Sequence, residues 1–240
     1  MNGEILVRCE GAARSYGHGA AATVALQPTT CEVAEGDHVA LVGPSGSGKS
    51  TLLHLMAGLD DPTVGTVSWP ALGDRAALRP GPVAVVFQGP SLLPPLTVEE
   101  NVALPLVLAG RDDADAHADA RRALDRLNLG DLYDKLPEEI SGGQAQRVAI
   151  ARALASDARL ILADEPTGQL DRENGVIVID HLLEAAEHSG AALVVATHDP
   201  TIAARLTNRW EIHSGRLELP GKTTTQNKTD PTVKETTWSR

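Results

Sequence analysis

Four short apolar runs of the chain are each followed at once by glycine, polar or charged residues. The runs are Val39–Val42, Val83–Phe87, Leu160–Ala163 and Leu193–Ala196. Unbroken apolar runs of this length are typical of strands buried on both faces, and helical patterns separate most of them. This combination predicts a mostly parallel α/β sheet with crossover helices. Because ligands bind beyond the carboxyl ends of such strands, the polar residues after the four runs should converge on one crevice.

The first run leads into a glycine-rich loop, which an apolar helical pattern follows. The loop residues are Gly43, Pro44, Ser45, Gly46, Ser47, Gly48, Lys49, Ser50 and Thr51. This spacing is typical of a loop whose backbone N–H groups surround phosphate oxygens. In such a loop Lys49 reaches the β- and γ-phosphates, Ser50 binds Mg²⁺, and the helix dipole assists. The alternative is a glycine-rich turn before an ordinary helix, but the complete motif between strand and helix favours a nucleoside triphosphate site.

Polar side chains end the other three runs: Gln88, the pair Asp164 and Glu165, and His198. Neighbouring side chains of an extended segment point in different directions, so the two carboxylates can serve different roles. We expect Asp164 to hold Mg²⁺ through water and Glu165 to orient or deprotonate an attacking water. Gln88 could bind Mg²⁺ or water near the γ-phosphate. A lone glutamine or histidine is more often structural, but the positions of Gln88 and His198 at strand ends favour the site.

A second glycine-containing helix start consists of Ser141, Gly142, Gly143 and Gln144. One interpretation is a capping box, with Ser141 at the N-cap and Gln144 three residues later. The other is an anion site, formed by the exposed N–H groups of the helix start beside two glycines. Taken alone, these four residues do not decide between the two.

In order and spacing these motifs resemble the nucleotide-binding subunits of ATP-binding cassette (ABC) transporters, over residues 4 to 219. The resemblance implies an α/β P-loop NTPase core with a mostly parallel sheet, an antiparallel β-subdomain and an inserted α-helical lobe. It also implies Mg²⁺-dependent hydrolysis of ATP, coupled to a separately encoded integral membrane permease. Two such chains, as a homodimer or pseudo-dimer, would bind two ATP molecules. Each ATP would lie between the Gly43–Thr51 loop of one chain and Ser141–Gln144 of the other.

The resemblance completes a set of expected site residues. The catalytic residues would be Lys49, Gln88, Glu165 and His198, and the Mg²⁺ ligands would be Ser50, Gln88 and Asp164. The nucleotide contacts would be Tyr16, Gly43–Thr51 and Ser141–Gln144. Tyr16 would stack on adenine, a contact worth about 1–3 kcal/mol. Gln88 would also link the ATP site to the permease, and Asp171 would contact the partner chain.

Three features depart from the family pattern. Ile140 replaces the usual leucine, and Gln169 stands where asparagine or alanine is common. The stretch from Gly65 to Gln88 is shorter than the family pattern, which predicts a trimmed β-subdomain.

Three segments resemble one subgroup of the family, which comprises bacterial macrolide exporters, lipoprotein-releasing systems and cell-division ATPases. The segments are Glu165–Gly168, Leu92–Thr97 and Gln144–Val148. The resemblance therefore implies the ATPase of an exporter or lipoprotein-release permease. The alternatives are an ATPase that regulates a cell-division or other non-transport membrane partner, and an importer ATPase.

Composition and charge define the remaining expectations. The net charge of −11 argues against a nucleic-acid partner, which would need clustered lysines and arginines. Cys9 and Cys31 should be buried free thiols, with one disulfide as the alternative. The chain has neither a visible export signal nor an apolar run long enough to span a membrane. We therefore expect a cytoplasmic protein, held peripherally on the inner face of the cell membrane by the permease.

The expected domain division is an ATPase domain over residues 1–219, with the helical lobe at about 89–158. Residues 220–240 are rich in threonine and lysine and almost without apolar side chains, which predicts a disordered tail.

Overall fold

A computed structural model describes residues 3–17, 19 and 22–220 of the chain. Its strands are β1 (Ile5–Tyr16), β2 (Thr23–Ala34), β3 (His38–Val42), β4 (Val64–Ser68), β5 (Val83–Val86), β6 (Leu160–Asp164), β7 (Ala192–Thr197), β8 (Asn208–His213) and β9 (Arg216–Glu218). Its α-helices are α1 (Lys49–Met56), α2 (Val98–Leu108), α3 (Asp113–Arg126), α4 (Gly142–Leu154), α5 (Arg172–Ser189) and α6 (Pro200–Ala203).

The four apolar runs form four adjacent strands of a six-stranded sheet. The order of this sheet is β5-β6-β7-β3-β8-β9, and every pairing is parallel except the hairpin between β8 and β9. The expected α/β class, the mostly parallel sheet and the terminal hairpin are therefore confirmed. The predicted bounds shift slightly, since β5 ends at Val86 rather than Phe87 and β6 continues to Asp164.

A second sheet is antiparallel and three-stranded, in the order β2-β1-β4. Between β4 and β5 the chain forms one 3-10 turn at Arg75–Ala77. Cys9 and Cys31 lie opposite each other in β1 and β2 as buried free thiols. A hydrogen bond with Cys9 and burial raise the pKa of the Cys31 thiol above its ordinary value. Because the thiolate is the reactive form, these cysteines are packing residues of the β-subdomain.

Three helices lie in the expected helical lobe, and their starts follow from local sequence. In the capping box of α2, the Glu100 N–H donates to the Thr97 hydroxyl at 3.2 Å and the Thr97 N–H donates to the Glu100 carboxylate at 2.7 Å. The helix α2 continues through Pro105 to Leu108. Asp112 caps α3, whose buried face is formed by Ala116, Ala120, Ala123 and Leu124. No α-helix in the described ranges is both long and apolar enough to cross a membrane.

One buried cluster extends from this lobe into the central sheet, where Val102 and Leu124 share it with Ile161 and Leu193. The core thus continues across the proposed lobe bounds at 89 and 158, and these bounds remain a prediction. The predicted disordered tail begins at Pro220, and residues 221–240 lie outside the described residues.

Candidate functional site

The carboxyl ends of three adjacent strands bring Lys49, Glu165 and His198 together. Lys49 begins α1 after the loop that follows β3, Glu165 follows β6, and His198 follows β7. The Lys49 ammonium lies 3.3 Å from Glu165 Oε1, and His198 Nδ1 lies 2.8 Å from Glu165 Oε2. The expected convergence at the strand ends is therefore present for these three residues.

The loop before α1 has a shape that requires glycine at two positions. A Cβ on Gly43 would lie 2.3 Å from the Ile212 carbonyl oxygen, so the backbone of β8 approaches too closely for any side chain. Gly48 has a φ of 108°, and a Cβ there would lie 2.5 Å from the Ala25 carbonyl oxygen. The Gly215 N–H donates to the Ser47 carbonyl at 2.8 Å. The β8–β9 hairpin thus contacts the Gly43–Thr51 loop directly and supports it.

Lys49 is nearly fully buried, and its ammonium is held at the loop by three contacts. It donates to the carbonyls of Gly43 at 2.8 Å and Pro44 at 3.1 Å, and it faces the Glu165 carboxylate. A buried ammonium is stable only when it is paired and hydrogen-bonded, and here it is both. The loop thus holds a positive charge at its centre.

Asp164 and Glu165 occupy different environments, as two different roles require. Asp164 is 5% exposed, and its Oδ1 has no hydrogen-bond partner in the described residues. Glu165 has a φ of 47°, and its N–H donates to the Ala196 carbonyl at 3.0 Å. A buried carboxylate oxygen without a partner is costly unless a cation or donor reaches it, so Asp164 fits a metal ligand.

No group of three or more histidines, cysteines, aspartates or glutamates in the described ranges is arranged to hold a metal ion. Mg²⁺ beside a nucleotide needs few protein ligands, because phosphates and waters supply most of its oxygens. Ser50 is partly buried at the start of α1, and its hydroxyl and the Asp164 carboxylate are suitable oxygen ligands for such a site.

Gln88 is exposed just after β5, and α4 supports the segment around it through two residues that sequence reasoning missed. The buried Gln146 side chain donates to the Phe87 carbonyl at 3.4 Å. The Arg152 guanidinium donates to the Ser91 carbonyl at 3.2 Å and to the Ser91 hydroxyl at 3.0 Å. Burial lowers the pKa of Arg152. No local pattern marks these contacts, because they join residues about sixty positions apart.

Ser141–Gln144 forms the capping box that starts α4. The Gln144 N–H donates to the Ser141 hydroxyl at 3.2 Å, and the Ser141 N–H donates to Gln144 Oε1 at 2.8 Å. Ser141 and Gly142 are exposed. Across the described residues, no hydrogen bond or ion pair joins this helix start to the Gly43–Thr51 loop. Within the described residues, the two anion-binding candidates therefore have no direct polar contact.

Tyr16 is 42% exposed at the end of β1, and its hydroxyl donates to Asp60 Oδ2 at 2.9 Å. Asp171 caps α5, where its carboxylate accepts from the Asn174 N–H at 2.9 Å. That hydrogen bond lowers the pKa of Asp171.

Comparison with known proteins places these features in a family. The family model described as "ABC transporter" matches residues 26–168. A "Lipoprotein-releasing system ATP-binding protein LolD" of Shewanella oneidensis is 41% identical over 224 residues, covering 90% of this chain and 97% of that protein. The protein of the same name from Shewanella frigidimarina is 39% identical over 227 residues, covering 92% and 95%.

Solved structures agree with the sequence comparison. The ATP-binding cassette MJ0796, in a dimeric post-hydrolysis state bound to ADP and Pi, has a TM-score of 0.82 at 35% identity. The match covers 89% of this chain and 98% of that one. CbiO1 of Clostridium perfringens, described as part of the ABC transporter complex cbiONQ, has a TM-score of 0.75 at 28% identity and covers 90% and 88%.

Proposed function

The chain belongs to the ABC transporter family, and we propose that it is the ATP-hydrolysing subunit of a transporter that releases lipoproteins from a membrane. As a cassette of this family it is an ATPase. The specific cargo is proposed because two proteins named for lipoprotein release are about 40% identical to nearly all of it. The observation that carries the catalytic role is the contact of Glu165 with both Lys49 and His198.

In this proposal the Gly43–Thr51 loop binds the triphosphate through its backbone N–H groups and through Lys49. Phosphate oxygens would replace the Gly43 and Pro44 carbonyls as acceptors of the Lys49 ammonium. Because Lys49 also contacts Glu165, the triphosphate would compete with that carboxylate for the same positive charge. Nucleotide binding would thereby release Glu165 to interact with the attacking water.

Mg²⁺ would be held by Ser50, by Asp164 through water and by Gln88, all of which offer oxygen atoms. When bound, the ion would neutralise charge that develops on the phosphates during transfer. Among the described residues, Oδ1 of the buried Asp164 has no hydrogen-bond partner, which supports this assignment.

Glu165 would orient the attacking water and accept its proton. A carboxylate in this role must be held in place, and two contacts do so. Its backbone N–H is bonded to the Ala196 carbonyl, and its Oε2 lies 2.8 Å from His198 Nδ1. A proton on Nδ1 would fix the direction of the carboxylate, so His198 would act as the residue that positions the base.

The remaining nucleotide contacts would come from a second chain. The N–H groups of Gly142 and Gly143 at the start of α4 take no part in the capping box, which suits an anion that would come from outside this chain's own loop. The dimeric form of MJ0796 supports a homodimer or pseudo-dimer in which each ATP is shared. Tyr16 would stack on the adenine of the ATP bound to its own loop, and Asp171 would contact the partner chain.

Residues 1–219 would form the ATPase domain, and residues 220–240 would form a tail outside it. An integral membrane permease would hold the chain at the cytoplasmic face of the cell membrane, with Gln88 linking permease and ATP. The segment 87–91, which α4 supports, is suited to carry that link because Gln146 and Arg152 join it to the helix that starts at Ser141.

The test is lipoprotein release by the complete complex. The tagged chain is purified with its permease from detergent-solubilised membranes and reconstituted in liposomes that contain a triacylated lipoprotein. We expect release that requires ATP and is absent with Lys49→Ala. A complex that hydrolyses ATP but leaves the lipoprotein in the liposomes would refute the proposed cargo. A cell-division partner or an importer permease in the purified complex would refute it as well.

A further inference from the structure

The ring of Tyr16 is held by two charged side chains. The Arg14 guanidinium lies over the ring, 4.7 Å from its centroid. The Tyr16 hydroxyl donates to Asp60 Oδ2 at 2.9 Å, and Arg14 Nη2 lies 2.7 Å from Asp60 Oδ1. Each of the three side chains therefore contacts the other two. We call Arg14, Tyr16 and Asp60 the tyrosine frame.

The backbone fixes where these side chains start. Arg14 and Tyr16 are two residues apart in β1, so their side chains emerge on the same face of the strand. Asp60 lies in the loop after α1, and two hydrogen bonds of Thr63 tie that loop to β1. The Thr63 N–H donates to the Ala13 carbonyl at 2.7 Å, and the Ser15 N–H donates to the Thr63 hydroxyl at 3.1 Å. The helix that begins at the phosphate-binding loop is thus connected to the tyrosine at its other end.

Both charges of the frame persist at neutral pH. The nearby Tyr16 side chain and the Asp60 carboxylate raise the pKa of the Arg14 guanidinium, despite the opposing effect of burial. Burial alone would raise the pKa of Asp60, but hydrogen bonds from the Asp61 N–H and the Tyr16 hydroxyl, together with the Arg14 charge, lower it overall. The cation over the ring and the acceptor at the hydroxyl are therefore both available when nucleotide binds.

We propose that Arg14 and Asp60 are positioning residues that hold the Tyr16 ring ready to stack on a nucleotide base. This inference rests on the proposed role of Tyr16. An exposed tyrosine samples several rotamers, and ordering it on binding costs free energy that a preset ring avoids. The Arg14 guanidinium lies over one face of the ring, the Tyr16 hydroxyl is bonded to Asp60, and the residue is still 42% exposed. In this proposal the base would stack on the face of the ring opposite Arg14.

If Arg14 and Asp60 served only to stabilise the fold, their variants would show a different pattern of binding losses. The side chains of Arg14 and Asp60 are only 25% and 22% exposed, so removing one of them would also lower the free energy of unfolding, but a general loss of this kind would weaken the binding of every ligand alike. The frame should matter only for a ligand that carries a base. Inorganic tripolyphosphate has the phosphates without the base, and it separates the two cases.

The test compares the equilibrium dissociation constants of ATP and tripolyphosphate, measured with Mg²⁺ in a Glu165→Gln background that slows hydrolysis. Tyr16→Ala should weaken ATP binding by about 5- to 100-fold, the range expected for a lost stacking contact. Arg14→Leu and Asp60→Ala should each weaken it by about 2- to 10-fold, the range for ordering one side chain. Arg14→Lys should recover part of that loss. Tripolyphosphate binding should be unchanged in all of these variants.

The matched control is Arg8→Leu, which removes an exposed ion pair with Glu32 from the same strand. Arg8→Leu should change neither the dissociation constant of ATP nor that of tripolyphosphate.

The proposal is overturned if Arg14→Leu and Asp60→Ala bind ATP normally while Tyr16→Ala does not. The stacking role of Tyr16 would survive that result. It is also overturned if Arg14→Leu binds ATP more tightly, because Arg14 would then occupy the face meant for the base. Equal losses for ATP and tripolyphosphate would indicate a general distortion and overturn it too. Normal ATP binding by Tyr16→Ala would instead refute the stacking role itself.

Discussion

Glu165 combines a positive φ of 47° with contacts to Lys49 and His198. For a residue with a Cβ this backbone conformation is uncommon, and it persists where the surroundings impose it. Here the bond from its N–H to the Ala196 carbonyl and the two side-chain contacts impose it. The conformation turns the Glu165 side chain away from the path of β6 and towards Lys49.

Glu165→Gln should bind ATP but turn it over about 10²–10⁴-fold more slowly, because the amide keeps the size of the side chain and cannot accept the proton. Steady-state phosphate release measures turnover, and equilibrium binding of labelled ATP measures affinity. Glu184→Gln, at an exposed position of α5, is the control and should match wild type. Unchanged turnover in Glu165→Gln would exclude Glu165 as the base.

Lys49→Ala should lower ATP hydrolysis by at least about 10²-fold, since it removes a fixed positive charge that stabilises the transferred phosphate. The same phosphate-release assay measures it, with Lys135→Ala as the control. Lys135 is half-exposed and paired with Glu139 on the helical lobe, so its loss should not affect turnover. A Lys49→Ala variant with normal hydrolysis would show that the Gly43–Thr51 loop is not the phosphate site.

Among individual residues, sequence reasoning predicted those that follow the strand ends. It missed the residues whose side chains hold the site residues in place. Lys49, Glu165 and His198 could be predicted because parallel strands place their carboxyl ends together. The contact of Arg14 with Tyr16 could have been predicted, because residues two apart in a strand share a face. The contact of Asp60 with Tyr16 could not, because it spans 44 positions of the chain.

Helix starts are the elements that the sequence specifies most directly. Thr97 with Glu100, and Ser141 with Gln144, form reciprocal capping boxes that depend only on residues three apart. These boxes begin α2 and α4, which are both parts of the expected helical lobe. The local pattern therefore predicted the structure of the Ser141–Gln144 helix start, and its anion-binding role remains a proposal.

Glu100→Gln should reduce stability at pH 7 and have less effect at pH 3. A hydrogen bond from the Thr97 N–H lowers the pKa of Glu100. A carboxyl with a lowered pKa contributes stability above its ordinary value of about 4.3, and this contribution is lost as the pH falls through the lowered value. Glutamine keeps the capping hydrogen bond and removes the charge at the helix N-terminus, a loss of about 0.3 kcal/mol.

Urea unfolding of wild type and Glu100→Gln at the two pH values measures this effect. The difference in the free energy of unfolding should shrink towards zero at pH 3. The control is Glu10→Gln, at an exposed position of β1 and outside every described helix. A difference that grows at low pH would contradict the assigned sign.

The contacts between elements were less predictable than the elements. The β8–β9 hairpin was predicted from its sequence, but its support of the loop at Gly43 and Ser47 was not. The same holds for α4, which carries Gln146 and Arg152 to the segment after β5. These contacts depend on how whole elements pack against each other, and the residue pattern within one segment does not predict that packing.

For the whole molecule, the main consequence concerns the number of chains in a working site. The Gly43–Thr51 loop and the exposed Ser141–Gln144 helix start share no hydrogen bond within the part of the chain that the structure describes. If each site uses the loop of one chain and the helix start of another, two different inactive variants should restore one intact site when mixed.

Ser141→Arg and Lys49→Ala should each be inactive alone. Mixed in equal amounts, they should regain at most about a quarter of wild-type hydrolysis, because half of the dimers are mixed and each holds one intact site of two. ATPase activity measured against mixing ratio gives the result. Ser141→Arg mixed with itself is the control, and no recovery in the mixture would show that each site lies within a single chain.

The contact between Gly215 and Ser47 has a consequence for how the protein is synthesised. The ribosome makes the glycine loop within the first quarter of the chain, yet the hairpin that supports it is among the last structured segments to emerge. We therefore expect a nascent chain that has passed its phosphate-binding motif to bind nucleotide weakly until the hairpin has folded. ATP would then bind at full strength only when translation is nearly complete, and a protein shortened before residue 208 should keep the motif and bind ATP more weakly than the full chain.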